Sequence, residues 1–174
     1  MAEVLHGLAP IADERCRVLI LGNMPSAMSL AAQQYYGNPR NAFWRITGAV
    51  YGFDADAPYA DRVHALRACG VAVWDVLRSC RRVGSLDSAV VRDSMVPNDF
   101  TQFFADHRRI ERVVFNGAAA EANYRLLVPN GPAPASVRAP STSPAQTMLY
   151  ADKLDAWRAA LGYPQVGFHP QAGV

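Results

Sequence analysis

Asn23, Ser26, Tyr35, Tyr36, Asn41, Asp75, Asn116 and the run Ser141-Thr142-Ser143-Pro144 are the residues of this chain whose types could do chemistry together. They are amides, hydroxyls, aromatic rings and one carboxylate. That inventory suits a flat polar heterocycle, because a ring stacks on aromatic faces while amides read its edge. Tyr35 and Tyr36 precede a Gly-Asn-Pro turn, where they can face a ligand. Phe43 and Trp44 open a helix and are expected in its packed face. The types missing from the set exclude other chemistries. Gly22-Asn23-Met24-Pro25-Ser26 has neither the glycine spacing and Lys-Ser/Thr of a phosphate loop nor the dinucleotide fingerprint. No Gly-x-Ser-x-Gly elbow is present, which argues against an ordinary serine hydrolase. Cys16, Cys69 and Cys80 are odd in number and lack Cys-x-x-Cys spacing, so neither a disulfide framework nor an all-cysteine cluster is expected. His6, His64, His107 and His169 are scattered, and no metal is expected. Lys153 is the only lysine; it sits between Asp152 and Leu154 and is expected on a solvated helix face.

These residues fall at the ends of four apolar strands. Arg17–Leu21 breaks at Gly22 into the Asn23–Ser26 turn. Val71–Trp74 ends at Asp75, Arg112–Phe115 at Asn116-Gly117, and the short Ser136–Arg138 at the Ser141–Ala145 loop. Helices are expected over 41–51, 60–69, 118–127 and 147–161, with Asn98 or Asp99 capping another that runs to His107. Residues 1–16 read as an entry loop or short helix, Arg78-Ser79-Cys80-Arg81-Arg82 as an arginine-rich loop, and Asn130-Gly131-Pro132 as a turn. Strands alternating with helices predict an α/β fold, a three-layer αβα sandwich around a mainly parallel sheet of about four strands. Such sheets bind ligands beyond the carboxyl ends of their strands, which is where the polar residues cluster.

The 174 residues fit a single domain spanning 1–174, with 163–174 a loose tail. Hydrophobic content of 51% argues against disorder, and a net charge of +2 means that any nucleic-acid contact must come from local patches. No apolar run is long enough for a membrane span, and the N-terminus is not a secretory signal, so a monomer in the cytoplasm is expected.

Leu21-Gly22-Asn23-Met24-Pro25-Ser26, Tyr35-Tyr36 and Pro39-Arg40-Asn41-Ala42-Phe43-Trp44 together resemble the first motif region of the uracil-DNA glycosylase superfamily. The likeness is closest to the hypoxanthine-DNA (deoxyinosine) glycosylases. It extends through Trp74-Asp75, Asn116-Gly117 and Ser141-Thr142-Ser143-Pro144, most of residues 17–161. The chain departs from the wider superfamily at three places: Met24 stands where a catalytic Asp or Asn is common, Ser141 where the second motif often starts with histidine, and Asn38 where a histidine precedes the Pro-x-Asn block.

The resemblance implies a monofunctional DNA glycosylase that flips a deaminated base, preferably hypoxanthine, out of double-stranded DNA and hydrolyses its N-glycosidic bond without a cofactor. It places the catalytic burden on Asn41, with Asn23 as the second candidate. The base would meet Tyr35, Tyr36, Asp75, Asn116, Met24 and Ser26. Ser141, Thr142, Ser143, Pro144, Ala145 and Arg40 would meet DNA, with Arg78, Arg81 and Arg82 as further phosphate contacts. The competing reading of Asn41 is a helix N-cap, and the two roles are compatible. A carboxylate at Asp75 would accept from N1–H of hypoxanthine and repel N1 of adenine; its structural alternatives are a cap or a partner for Arg78 or Arg81. Three rivals stay open: a uracil- or xanthine-DNA glycosylase, a non-catalytic nucleic-acid-binding module, and a hydrolase of free nucleosides.

Overall fold

Val18–Gly22 (β2) is apolar throughout except for its last glycine, so it can be covered on both faces, and it is the centre of the sheet. The computed structural model describes residues 2–131 and 134–162; Pro132 of the expected turn and the expected tail lie outside them. Val71–Asp75 (β3) pairs with one edge of β2 and Arg112–Asn116 (β6) with the other, both parallel. Ala135–Ala139 (β7) adds a parallel strand outside β6. The order β3-β2-β6-β7 puts the topological reversal beside β2, so a crevice opens where the loops after β2 and β6 diverge.

Side-chain alternation divides the core in two. Leu19, Leu21, Ala72, Val113 and Phe115 face one layer, which contains Phe100–Asp106 (α4) and Ala118–Leu127 (α5). Ile20, Val71, Val73 and Val114 face the other, which contains Phe43–Tyr51 (α2), Tyr59–Ala68 (α3) and Tyr150–Ala160 (α6). This is the expected αβα sandwich. Asp99 caps α4, its carboxylate accepting from Gln102 N at 3.0 Å. Phe43 and Trp44 are buried in α2, as their positions predict.

A second sheet was not expected. Val4–His6 (β1), Leu77–Arg81 (β4) and Val96–Pro97 (β5) form a three-stranded antiparallel sheet in the order β1-β4-β5. The N-terminal segment is therefore a strand followed by an edge cover: Ile11 exchanges backbone hydrogen bonds with Val73, both at 2.8 Å, which protects the open side of β3. The arginine-rich stretch is likewise a strand. Leu77, Ser79 and Cys80 are buried while Arg78 points to solvent, and only Val76 separates β4 from β3. This sheet carries the 82–95 segment across the end of β2. Among the described residues, no helix is long and apolar enough to cross a membrane.

Candidate active site

The sequence after β2 turns because Gly22 lets two side chains crowd its backbone. A Cβ at Gly22 would collide with Asp75 Oδ1 and press on the Tyr36 hydroxyl. The turn is then held from several sides. The Arg82 guanidinium donates to Pro25 O at 2.6 Å and to Gly84 O at 2.9 Å. Ser26 caps the short helix Ala27–Ala32 (α1) by accepting from Ser29 N at 3.1 Å. Ala27 N donates to Ser85 Oγ at 2.9 Å. Arg82 is only 4% exposed; it is a clamp on the first turn and is removed from the expected phosphate contacts, because its guanidinium points inward.

Asn23 is buried, and both ends of its amide are committed. Its Oδ1 accepts from Asn123 Nδ2 at 2.8 Å, and its Nδ2 donates to Asp87 Oδ1 at 3.0 Å. A carboxylate only accepts, so Asn23 must present its NH2 to Asp87 and its oxygen to Asn123. Asn23 thus links α5 to the 82–95 segment.

Asp75, at the end of β3, is 4% exposed and its Oδ2 has no hydrogen-bond partner. Burial, and then the like charge of Asp87, push its pKa from the ordinary 3.8 up to about 7; the Arg82 guanidinium opposes this. No ion pair among the described residues involves Asp75, so the alternative of an Arg78 or Arg81 partner is not realised. Its backbone oxygen accepts from Asn98 Nδ2 at 2.8 Å, which fixes the strand end.

The two tyrosines separate. Tyr35 is 3% exposed and its hydroxyl donates toward Leu8 O and Ala9 O at 3.2 and 3.0 Å. Its ring packs in the core with Trp44, whose Nε1 donates to Tyr35 O at 3.0 Å. Tyr35 anchors the loop, and the expected stacking face falls to Tyr36. Tyr36 has φ of 52°, a left-handed conformation that a bulky side chain adopts only when its surroundings impose it. Phe43 stacks on one face of its ring, with centroids 4.0 Å apart. Its hydroxyl accepts from Asn116 Nδ2 at 3.0 Å. Burial, with Asp75 nearby, drives the phenol further toward its neutral form.

Asn116 ends β6 and ties three pieces together. Its Nδ2 also donates to Thr142 Oγ1 at 3.0 Å, and its Oδ1 accepts from Thr142 N at 2.9 Å. Thr142 O in turn accepts from Ala42 N at 2.9 Å, which brings the Ser-Thr-Ser-Pro loop against Asn41. Gly117, with φ of 92°, makes room for this contact; a Cβ there would lie 2.9 Å from Ser141 Cβ. The N-cap position of α2 is Ala42, one residue past the expected Asn41; Asn41 Oδ1 accepts from Phe43 N at 2.9 Å and so still holds the first N–H of the helix. That bond fixes the amide and leaves its Nδ2 without a protein partner among the described residues.

The loop beyond Pro140 is pinned at both ends. Trp157 Nε1 donates to Pro140 O at 2.8 Å, and Lys153 Nζ donates to Gln146 O at 2.9 Å. Lys153 is 4% exposed, not on a solvated face, because the turn of α6 that carries it lies under this loop; burial lowers its pKa. The helix begins at Tyr150, and residues 147–149, expected in it, are exposed and precede it. Pro144 and Ala145 form an exposed tip, and Arg40 is exposed as well.

These groups line one cleft of about 540 Å3 at the carboxyl ends of β2, β3 and β6. Asn23, Met24, Ser26, Tyr35, Tyr36, Asn41, Asp75 and Asn116 all reach it, with Ser141 to Ala145 along one side. Met24 is nevertheless largely buried in the core facing α4 and α5. Gln146 of the same loop lines the cleft too, and so do Ser85, Leu86, Asp87 and Ser88, which were not anticipated. Nothing local distinguishes Asp87, which meets Asn23 across 64 positions. Among the described residues, no three His, Cys, Asp or Glu side chains gather where they could hold a metal ion.

No family model matches the chain. Curated relatives do. The hypoxanthine DNA glycosylase of Methanosarcina acetivorans is 32% identical over 157 residues, 90% of this chain and 97% of the relative. That of Methanosarcina barkeri is 34% identical over 113 residues, 64% of this chain and 70% of the relative. A solution NMR structure of a proposed uracil DNA glycosylase from M. acetivorans superposes with a TM-score of 0.77 at 32% identity, covering 90% of this chain and 96% of that one.

Proposed function

The chain belongs to the hypoxanthine-DNA glycosylases of the uracil-DNA glycosylase superfamily, and we propose that it removes hypoxanthine from double-stranded DNA by flipping deoxyinosine into the cleft and hydrolysing its N-glycosidic bond. The observation that carries this reading is Asp75: a buried carboxylate with a partnerless oxygen at the floor of an amide-lined cleft. A buried polar atom without a partner costs free energy, and a base edge would supply the partner. Hypoxanthine offers N1–H to the ionised carboxylate; adenine offers a lone pair and is repelled.

The bond breaks with negative charge accumulating on the leaving base and positive charge on the sugar. Preorganised donors aimed at the base therefore lower the barrier. Asn41 Nδ2 is such a donor. Its oxygen is held by Phe43 N–H, so the NH2 is oriented before substrate arrives. The face of Tyr36 opposite Phe43 would stack on the purine. Asn23 supports the wall of the cleft; its side chain is bonded at both ends, which leaves catalysis to Asn41. No lysine lines the cleft, and hydrolysis without a covalent amine intermediate makes the enzyme monofunctional.

The exposed tip Pro144-Ala145 and the flanking Ser141, Thr142 and Ser143 would press on the duplex, with Arg40 against phosphate. The reading takes the enzyme as a monomer and residues 1–174 as one glycosylase domain. The test is a duplex with a single deoxyinosine, treated with enzyme and then alkali, beside uracil and xanthine duplexes and free inosine. Strand breakage that requires alkali and is greatest for deoxyinosine is expected. Lesion binding without breakage would overturn the reading in favour of a binding module, and turnover confined to free inosine would place the substrate outside DNA.

A further inference from the structure

Hydrolysis also needs a group that takes a proton from water. Among the described residues, the carboxylates lining the cleft are Asp75 and Asp87, and neither histidine nor glutamate lines it. Asp75 lies on the buried floor, where the base edge would sit. Asp87 lies on the short turn Asp87–Ala89 of the exposed 83–89 segment. It is not placed there as a loose surface charge. Asn123 holds Asn23, and Asn23 holds Asp87 Oδ1, a relay of two amides that starts on α5 and crosses the first turn. Arg82, which grips Pro25 O and Gly84 O, and Ser85, which accepts from Ala27 N, fix the same segment to the same turn. One carboxylate oxygen is thus anchored, and Oδ2 has no protein partner among the described residues.

We propose that Asp87 is the catalytic base of the site, its Oδ2 orienting the attacking water and accepting its proton. This rests on the glycosylase reading above. In the step, the water oxygen forms a bond to the sugar C1′ and its proton passes to Asp87. The C1′–N9 bond breaks, and its electron pair departs on hypoxanthine, which is then protonated from solvent. Asp87 returns its proton to solvent. The sum is water plus nucleotide giving an abasic sugar and free base. The same negative charge stabilises the developing sugar cation. The titratable and charged groups around Asp87 are Asp75, Tyr36, Cys80 and Arg82.

The experiment compares wild type, Asp87→Asn and Asp87→Glu on a deoxyinosine duplex in single turnover at saturating enzyme and one fixed pH, with duplex affinity measured separately. Asparagine keeps an oxygen for Asn23 and removes only the base. Asp87→Asn is expected to excise at least about 100-fold more slowly, with affinity unchanged or tighter. Asp87→Glu should recover part of the rate, because it returns a carboxylate to the position. An Asp87→Asn rate within about threefold of wild type, or a loss accounted for entirely by weaker binding, would overturn the proposal while leaving the glycosylase reading intact. A wild-type protein that excises nothing would overturn both.

Discussion

Asn116 Nδ2 lies 3.0 Å from the Tyr36 hydroxyl, joining the end of β6 to the aromatic loop across 80 positions. The same amide holds Thr142 through both its nitrogen and its oxygen. One side chain therefore sets the distance between the ring proposed to stack on the base and the loop proposed to touch DNA.

Removing that amide should disturb both. Asn116→Ala leaves the Tyr36 hydroxyl and Thr142 N–H without their partner, and a stability loss of about 1–3 kcal/mol is expected in urea unfolding. Tyr36→Phe removes one hydrogen bond and keeps the ring, so it should lose about 1 kcal/mol and excise within a few-fold of wild type. Tyr36→Ala should weaken binding of the deoxyinosine duplex by roughly 1–3 kcal/mol. Equal binding by the Phe and Ala proteins would exclude stacking on Tyr36.

Asn41 has two functions that substitution can separate. Asn41→Ala removes the hold on Phe43 N–H and the donor together; it should cost about 1 kcal/mol of stability and slow excision by about 100- to 1,000-fold. Asn41→Asp keeps an acceptor for Phe43 N–H and places negative charge at a helix N-terminus, where it is favourable. It should fold as well as wild type yet excise nearly as slowly as the Ala protein. An active Asn41→Asp enzyme would show that donation from Nδ2 is not what the reaction needs.

Asp75 couples stability to pH with a definite sign. Its folded-state pKa of about 7 stands above the ordinary 3.8, so the folded protein holds the proton more tightly. Below about pH 4 both states are protonated and burial of a charge costs nothing. As pH rises to 7, unfolding releases the proton and stability falls; above 7 the penalty is complete. The gap between 3.8 and about 7 converts to up to roughly 4 kcal/mol. Asp75→Asn should therefore match wild type near pH 4 and exceed it by a few kcal/mol at pH 8, measured by urea unfolding. A difference that does not change with pH would contradict the raised pKa. On DNA, the same variant should lower deoxyinosine excision and narrow the preference over deoxyadenosine.

Lys153 offers a test of the loop that works at a distance from the bond broken. Lys153→Met keeps the buried stem and deletes the hold on Gln146 O. Single-turnover excision at saturating enzyme should stay within about twofold of wild type, while the enzyme concentration needed for half-maximal rate should rise several-fold. A fall in the saturated rate would instead place Lys153 in the catalytic arrangement.

Local pattern determined the main sheet and most of the site. Short apolar runs, each ended by a turn or polar residue and alternating with helical patterns, read as strands of a parallel sheet, and side-chain alternation then decides which residues meet which helical layer. Because ligands sit beyond the ends of such strands, Asn23, Asp75, Asn116 and the Ser141–Ala145 loop could be assigned to one cleft before any coordinates. The N-cap reading of Asn41 was one residue early: Ala42 holds that position, while the Asn41 amide reaches the Phe43 N–H two residues on.

What the tertiary structure alone decided are the pairings between distant positions and the fate of residues whose type suggests the surface. Arginine and lysine read as solvated, yet Arg82 and Lys153 are buried, because carbonyls at Pro25, Gly84 and Gln146 lie within reach of their charged ends. The short strands of the second sheet carry too few residues for a clear periodicity, and each is stabilised by its neighbours. Tyr35 and Tyr36 are chemically alike and adjacent; the left-handed backbone at Tyr36 sends one ring to the core and the other to the cleft. Asp87 had no signal at all. It becomes part of the site only through Asn23 and Asn123, an arrangement set by how α5 and the 82–95 segment pack around one turn.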